Sequence, residues 1–278
     1  MKTQIQRILV PLDPSEYTDA ATARACEVAK PHQATLTGLA VLDSPGIRGS
    51  VAPSDTLHWP LVQDTILGAE AHARERIAAA REKFDRTCVE QGVKHAASQL
   101  EGVPAEVIHD ASGLYDLVVM GLRTFFHFET RDEPGDSLDK LLGQTATPIL
   151  AVPKDRPASP FLHALVAYDG SMNASRALKE FAAFAAPFDF QITVLTATED
   201  DRQAEMLLHE AIAYLADHGI DNVETKRSKQ KAVTIDTLGD ADLVVAGIHS
   251  KRFFKDRFVG SLTTELIERH DRALFLSH

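Results

Sequence analysis

Two stretches of this chain say nearly the same thing. Residues 7–22 read RILVPLDPSEYTDAAT and residues 163–178 read HALVAYDGSMNASRAL. Each is an apolar strand ending near an aspartate, then a serine-bearing turn, then the start of a helix. Asp13 aligns with Asp169 and Ser15 with Ser171, 156 residues apart. A second strand follows in both, at Ala34–Asp43 and Gln191–Asp200. Further on, YDLVVMG (Tyr115–Gly121) matches ADLVVAG (Ala241–Gly247), now 126 apart, and Thr147–Pro153 matches Arg272–His278 at 125. Matches that keep their order along a whole chain mark a duplicated unit.

The fall in offset puts about thirty extra residues in the first copy, after its second strand. The segment Ser44–Thr65 is rich in Pro, Gly and Ser and reads as a long inserted loop. It carries the single tryptophan, Trp59, as a packing anchor or as a cover over the first copy's cleft. A long helix from Asp64 to Gln91 is expected next, stopped by Gly92, against a shorter one from Arg202 to His218 stopped by Gly219. Pro153–Phe161 holds three prolines without apolar periodicity and reads as a stiff linker. The expected domains are therefore 1–156 and 157–278. Runs such as ILV, LVVM and LVVA do not alternate, as in strands covered on both faces. The helical stretches repeat apolar residues every three or four positions. The fold expected is α/β: two tandem open parallel sheets with helices on both faces.

Within that pattern, Gly247–Ser261 stands out. It leaves a buried strand at a glycine, runs through a basic loop and reaches Gly260-Ser261 at a helix start. Lys251, Arg252, Lys255 and Arg257 face one acid, Asp256, in a chain of net charge −11. A helix N-terminus with free N–H groups favours an anion, so the stretch suits a phosphate; the alternative is a solvated surface loop. In open α/β sheets ligands bind beyond the strands' C-terminal ends, where strand order reverses. Asp169 and Gly247 are candidates to face one such crevice, although Asp169 also suits a helix-entry turn. The overall acidity argues against a nucleic-acid binder. Cys26 and Cys88 lie in helical patterns and form no C-x-x-C, which points away from a disulfide framework and toward a reducing compartment. No apolar run reaches the roughly 20 residues a bilayer needs, and the apolar run at the start is too short for a signal peptide. A cytoplasmic location and no membrane partner are expected. The twelve histidines include no pair spaced as a metal site, so no metal-binding residues are assigned.

On these residues the chain resembles the universal stress protein family in its tandem form. The family motif G-x2-G-x9-G-[ST] is matched by Gly247, Ser250, Gly260 and Ser261, with serine at the second glycine, and Asp169-Gly170-Ser171 reproduces its D-G-S. The resemblance implies five-stranded parallel sheets in order 3-2-1-4-5, similar to adenine nucleotide alpha-hydrolases. It implies ATP, or ADP or AMP, with Mg2+ as a companion ion. The adenine would lie at Ala167, Tyr168, Asp169 and Ala197, and the phosphates at Gly247, Ser250, Gly260, Ser261 and Leu262. It also implies pairing of the two domains through their last strands, and a further homodimer as a candidate assembly.

The first copy departs further. Asp13-Pro14-Ser15 loses a backbone donor to proline. Thr124 replaces the second glycine, Asp136 replaces the hydroxyl residue, and Glu129, Asp132 and Glu133 outnumber Arg123 and Arg131. The first copy is therefore expected not to bind nucleotide. Phe253 and Phe254, echoed by Phe125 and Phe126, suit core packing or adenine cover. No nucleophile elbow and no Walker lysine mark a dedicated enzyme; at most, slow ATP hydrolysis is expected. The functional expectation is a nucleotide-binding stress or regulatory protein. The alternative is a nucleotide-independent interaction scaffold.

Overall fold

The computed structural model describes residues 5–50, 59–124, 126, 137–142, 145–155, 160–229, 233, 235–248, 266–267, 269 and 271–277. In chain order the first half gives β1 (Arg7–Leu12), α1 (Glu16–His32), β2 (Thr35–Leu42), α2 (Ser44–Ser50), α3 (Trp59–Glu90), β3 (His95–Glu101), α4 (Pro104–Ser112), β4 (Leu117–Gly121), α5 (Ser137–Leu142) and β5 (Ile149–Val152). The second gives β6 (His163–Ala167), α6 (Met172–Ala185), β7 (Gln191–Ala197), α7 (Asp201–Asp217), β8 (Val223–Ser228), α8 (Ile235–Leu238), β9 (Leu243–Gly247) and β10 (Ala273–Ser277).

The strand registers reproduce the offsets in the sequence. Arg7 pairs with Thr35, and 156 residues on, His163 pairs with Gln191. Ile8 pairs with Leu117, and Ala164 with Leu243, so the partner moves by 126. Each half has the order 3-2-1-4-5. The two sets of five nevertheless form one ten-stranded sheet, β3-β2-β1-β4-β5-β10-β9-β6-β7-β8, rather than two separate sheets. The join is antiparallel, with Leu150 opposite Phe275 and Ile149 opposite Leu276. Its cause is the edge: β5 and β10 are short and buried on both faces, and each would otherwise present unpaired backbone groups.

The central strands divide their side chains between two cores, which is why their sequences do not alternate. In β9, Leu243 and Val245 join α1, α3, α6 and α7 in one core, while Val244 and Ala246 join α4, α5 and α8 in the other. Two boundaries differ from the sequence reading. The inserted segment is not all loop: Asp43 Oδ1 accepts from Gly46 N at 2.9 Å and buried Ile47 anchors the turn, so α2 forms despite its Pro and Gly content. The long helix starts at Trp59 rather than Asp64. Both expected stops hold, with Gly92 at φ 67° and Gly219 at φ 75°, the left-handed region glycine enters without a Cβ penalty.

Candidate functional site

The order of strands reverses between β6 and β9, and in α/β proteins ligands bind beyond the strands' C-terminal ends at such a reversal. Ala167 ends β6, Ala197 ends β7 and Gly247 ends β9, so the structure brings these three to one rim of the sheet. Ser250, Gly260, Ser261 and Leu262, and the basic residues Lys251, Arg252, Lys255 and Arg257, lie outside the described residues.

Tyr168 turns inward. It is 8% exposed, packs in the α6-side core, and its hydroxyl lies 3.4 Å from Ser175 Oγ. What it can present to the rim is therefore backbone. Asp169 is exposed, and its Oδ1 accepts from Ser171 N at 2.9 Å. Ser171 then caps α6 by accepting from Ala174 N at 3.2 Å. The first turn of α6 contains no acid, so nothing on that helix opposes an anion at its positive end.

In the equivalent turn of the first half the aspartate is buried, beside a cleft of about 360 Å³ that Asp13, Pro14 and Ser15 help to line. Asp13 is 1% exposed, and its Oδ1 accepts from Ser15 N at 3.1 Å, Ser15 Oγ at 2.6 Å and the Thr18 hydroxyl. Ser15 Oγ, spent on Asp13, makes no cap bond to α1, whose first turn instead carries Glu16 and Asp19. Those two carboxylates lie at the positive end of α1 and are paired with Lys154 and Lys83, at 3.2 and 2.6 Å.

Gly247 has a packing role that its sequence context did not reveal. A Cβ there would lie 2.4 Å from the carbonyl carbon of Asn173 and 2.6 Å from Ala174 N. The missing side chain lets β9 touch the first turn of α6, where Asn173 Nδ2 donates to Ile248 O at 2.8 Å. Gly121 does the same against Tyr17, at 2.4 Å from its Cβ, and Tyr17 is the counterpart of Asn173. Close approach at this glycine is thus common to both halves.

Sequence reasoning missed two further residues. Arg227 on β8 donates from Nε and Nη2 to Thr198 O and from Nη2 to Glu199 O, and pairs with Asp201, fixing the turn beside Ala197. An arginine in a strand of exposed polar residues gave no signal of that role. Thr196 is 1% exposed and its Oγ1 has no hydrogen-bond partner among the described residues. It lies one residue before Ala197, and a threonine among apolar strand residues does not announce itself. Among the described residues no three His, Cys, Asp or Glu side chains converge as a metal site, and no helix is long and apolar enough to cross a membrane.

This architecture is shared with solved structures along nearly the whole chain. A universal stress protein from Archaeoglobus fulgidus DSM 4304 superposes with a TM-score of 0.67 at 19% identity, covering 98% of this chain and 97% of its own. A functionally unknown protein from Pseudomonas aeruginosa PAO1 follows at 0.58 and 16% identity, covering 99% and 93%. The cytoplasmic domain of a prokaryotic cation chloride cotransporter reaches 0.52 at 14% identity, covering 98% and 95%. At such identities the likeness is one of fold. No match to a curated protein sequence was found. The profile of the Universal stress protein family matches residues 4–153, the half whose nucleotide motif departs further. With that match over more than half the chain, the protein belongs to the universal stress protein family.

Proposed function

We propose that residues 157–278 form a domain that binds an adenine nucleotide, ATP or its hydrolysis products ADP and AMP, and that binding regulates a stress response in the cytoplasm. The observation that carries this reading is the contrast between the two strand-one turns. Asp169 is exposed above an acid-free α6 N-terminus, whereas Asp13 is buried and its helix carries two acids in the first turn. Family membership and the intact spacing from Gly247 through Ser250 to Gly260 and Ser261 support it. The residues present suit a phosphate group: the acid-free N-terminus of α6 supplies positive potential and the sequence from Gly247 to Ser261 carries four cations. Mg2+ would accompany ATP, with the exposed Asp169 as a carboxylate within the same rim. Residues 1–156 would be the second domain, joined to the first as two subunits would be, through β5 and β10. The chain performs no dedicated chemistry in this reading.

A second reading, a nucleotide-independent scaffold, draws on Gly247, whose packing against Asn173 explains the glycine without a phosphate. Calorimetric titration with ATP·Mg and mass spectrometry of the supernatant after denaturation separate the two. Released adenine nucleotide, with binding abolished by Gly260→Asp and kept by Gly135→Asp, is the expected result. No released nucleotide and no heat at millimolar ATP would leave the scaffold standing.

A further inference from the structure

The two cysteines, 62 residues apart in sequence, meet in space: Cys26 Sγ on α1 lies 3.9 Å from Cys88 Sγ on α3, both free and fully buried. The helices run side by side, and their contacts form a ladder. Lys83 Nζ reaches Asp19 at 2.6 Å before the pair, and Lys30 Nζ reaches Gln91 Oε1 at 2.6 Å after it. These rungs hold the thiols in register. Closing to a bond of about 2.05 Å requires each sulfur to move about 1 Å.

The second half shows that the packing does not need sulfur. Val93 N donates to Cys88 O, and Ile220 N donates to Leu215 O, which makes Leu215 the counterpart of Cys88; Cys26 corresponds to Ala182. An alanine and a leucine, both buried, fill the same places there. The nearest opening is a cleft of about 360 Å³ between α1 and α3, lined in part by Thr22, Lys83, Phe84 and Thr87 and not by the cysteines themselves. Thr22 and Phe84 lie one helical turn before Cys26 and Cys88 on their own helices, so the cleft floor is one turn from the sulfurs.

We propose that Cys26 and Cys88 form a reversible dithiol–disulfide modification site, oxidised by a hydroperoxide of hydrogen-peroxide size and reduced by a dithiol. Cys26 is the nucleophile. Lys30 lies one turn on from Cys26 along α1, and Asp85 one turn before Cys88 along α3, so a thiolate is favoured at Cys26 and opposed at Cys88. Contact with Cys88 and the charge of Lys30 pull the Cys26 thiol down, against burial and Glu27, while Cys88 is pushed up. The Cys26 thiolate, its proton released, attacks one peroxide oxygen; the O–O bond breaks, leaving a sulfenic acid and a hydroxide that takes up a proton as water. Cys88 sulfur then attacks the sulfenic sulfur; the S–S bond forms, the S–O bond breaks, and the hydroxyl leaves with the Cys88 proton as a second water. The two thiols lose two electrons and the peroxide gains them. A dithiol reverses the change by exchange and is itself oxidised to a disulfide. The bond ties α1 to α3 below the turn that holds Asp13.

The full chain treated with hydrogen peroxide, denatured and alkylated should show neither cysteine labelled. A peptide from Thr87 to Lys94 should be joined to the one beginning at Ala25, both released by dithiothreitol, and the oxidised protein should melt several degrees higher. A 1,3-dione should trap a sulfenic acid at Cys26 in Cys88→Ser, and none at Cys88 in Cys26→Ser. The wild-type peptide map decides the matter even if a variant fails to fold. Both thiols still open to alkylation, or a link between two chains instead of within one, would overturn the site.

Discussion

Thr18 grips Asp13 from both sides: its Oγ1 accepts from Asp13 N at 2.9 Å while its hydroxyl donates to the Asp13 carboxylate. The counterpart of Thr18 in the second half is Ala174, which offers no hydroxyl. That difference adds to two others between the turns: Pro14 stands where Gly170 takes a φ of 77°, and Ser15 Oγ donates to Asp13 whereas Ser171 Oγ caps α6.

Ala174→Thr should therefore draw Asp169 inward and close the second turn. Nucleotide affinity is expected to fall about tenfold, roughly 1.4 kcal/mol, with a titration of ATP against the variant as the measurement. Thr18→Ala makes the reverse change. It removes hydrogen bonds to a buried carboxylate, a loss of about 1.5–3 kcal/mol visible in the denaturant midpoint. An Ala174→Thr variant with unchanged affinity would show that the exposure of Asp169 has no part in binding.

Gly247→Ala should destabilise the chain whether or not nucleotide is present. The added methyl would meet the Asn173 backbone at 2.4 Å, and backbone cannot give way as a flexible side chain does. The cost is about 1–3 kcal/mol, and Gly121→Ala should show a similar loss. Thermal melts with and without ATP check this: a loss confined to the nucleotide-bound state would contradict a packing role.

Much of the fold is legible in the sequence. The non-alternating runs announced a sheet covered on both faces, and the offsets of 156 and 126 recur in the strand registers. The difference between the turns was legible only in part. Asp13-Pro14-Ser15 drew the eye to proline, yet the grip on Asp13 comes from Thr18, whose hydroxyl reaches back from the first turn of the helix. The α2 turn was hidden because proline and glycine composition says loop, while the cap by Asp43 is a matter of geometry. The join of the two halves came only from the family resemblance, which implied pairing through the last strands; on its own an apolar strand reads the same at an edge as in the interior.

His32 makes the junction between the halves sensitive to pH. Its ring is 2% exposed and lies against Phe184 and Phe188, with Nε2–H donating to Phe184 O at 3.0 Å and Nδ1 buried without a partner among the described residues. Burial holds its pKa below the usual 6.5, against the pull of the Phe184 carbonyl. The folded state thus prefers the neutral ring. Its stabilising share is complete above about 6.5 and is lost as pH falls from there toward the folded pKa. Denaturant midpoints should drop between pH 7.5 and 5.5, and the drop should shrink in His32→Leu. An equal drop in both would assign the effect to other groups.

The β5–β10 join leads to a prediction about the second half alone. Residues 157–278 keep their own core on both faces of five strands, with Phe275 packed on Phe181 and Phe184 at 5.8 and 5.3 Å. Removal of residues 1–156 uncovers the β10 edge, where Leu274, Phe275 and Leu276 had faced Ala151, Leu150 and Ile149. An antiparallel edge can pair with a second copy of itself about a two-fold axis, and closure of that kind limits the product to a dimer. Sedimentation of 157–278 should therefore give a dimer, and Leu276→Lys, which sets a charge on the uncovered strand, should shift it to monomer. A monomeric 157–278 would mean that β10 pairs with β5 through features of the first half and not through an edge able to pair with itself.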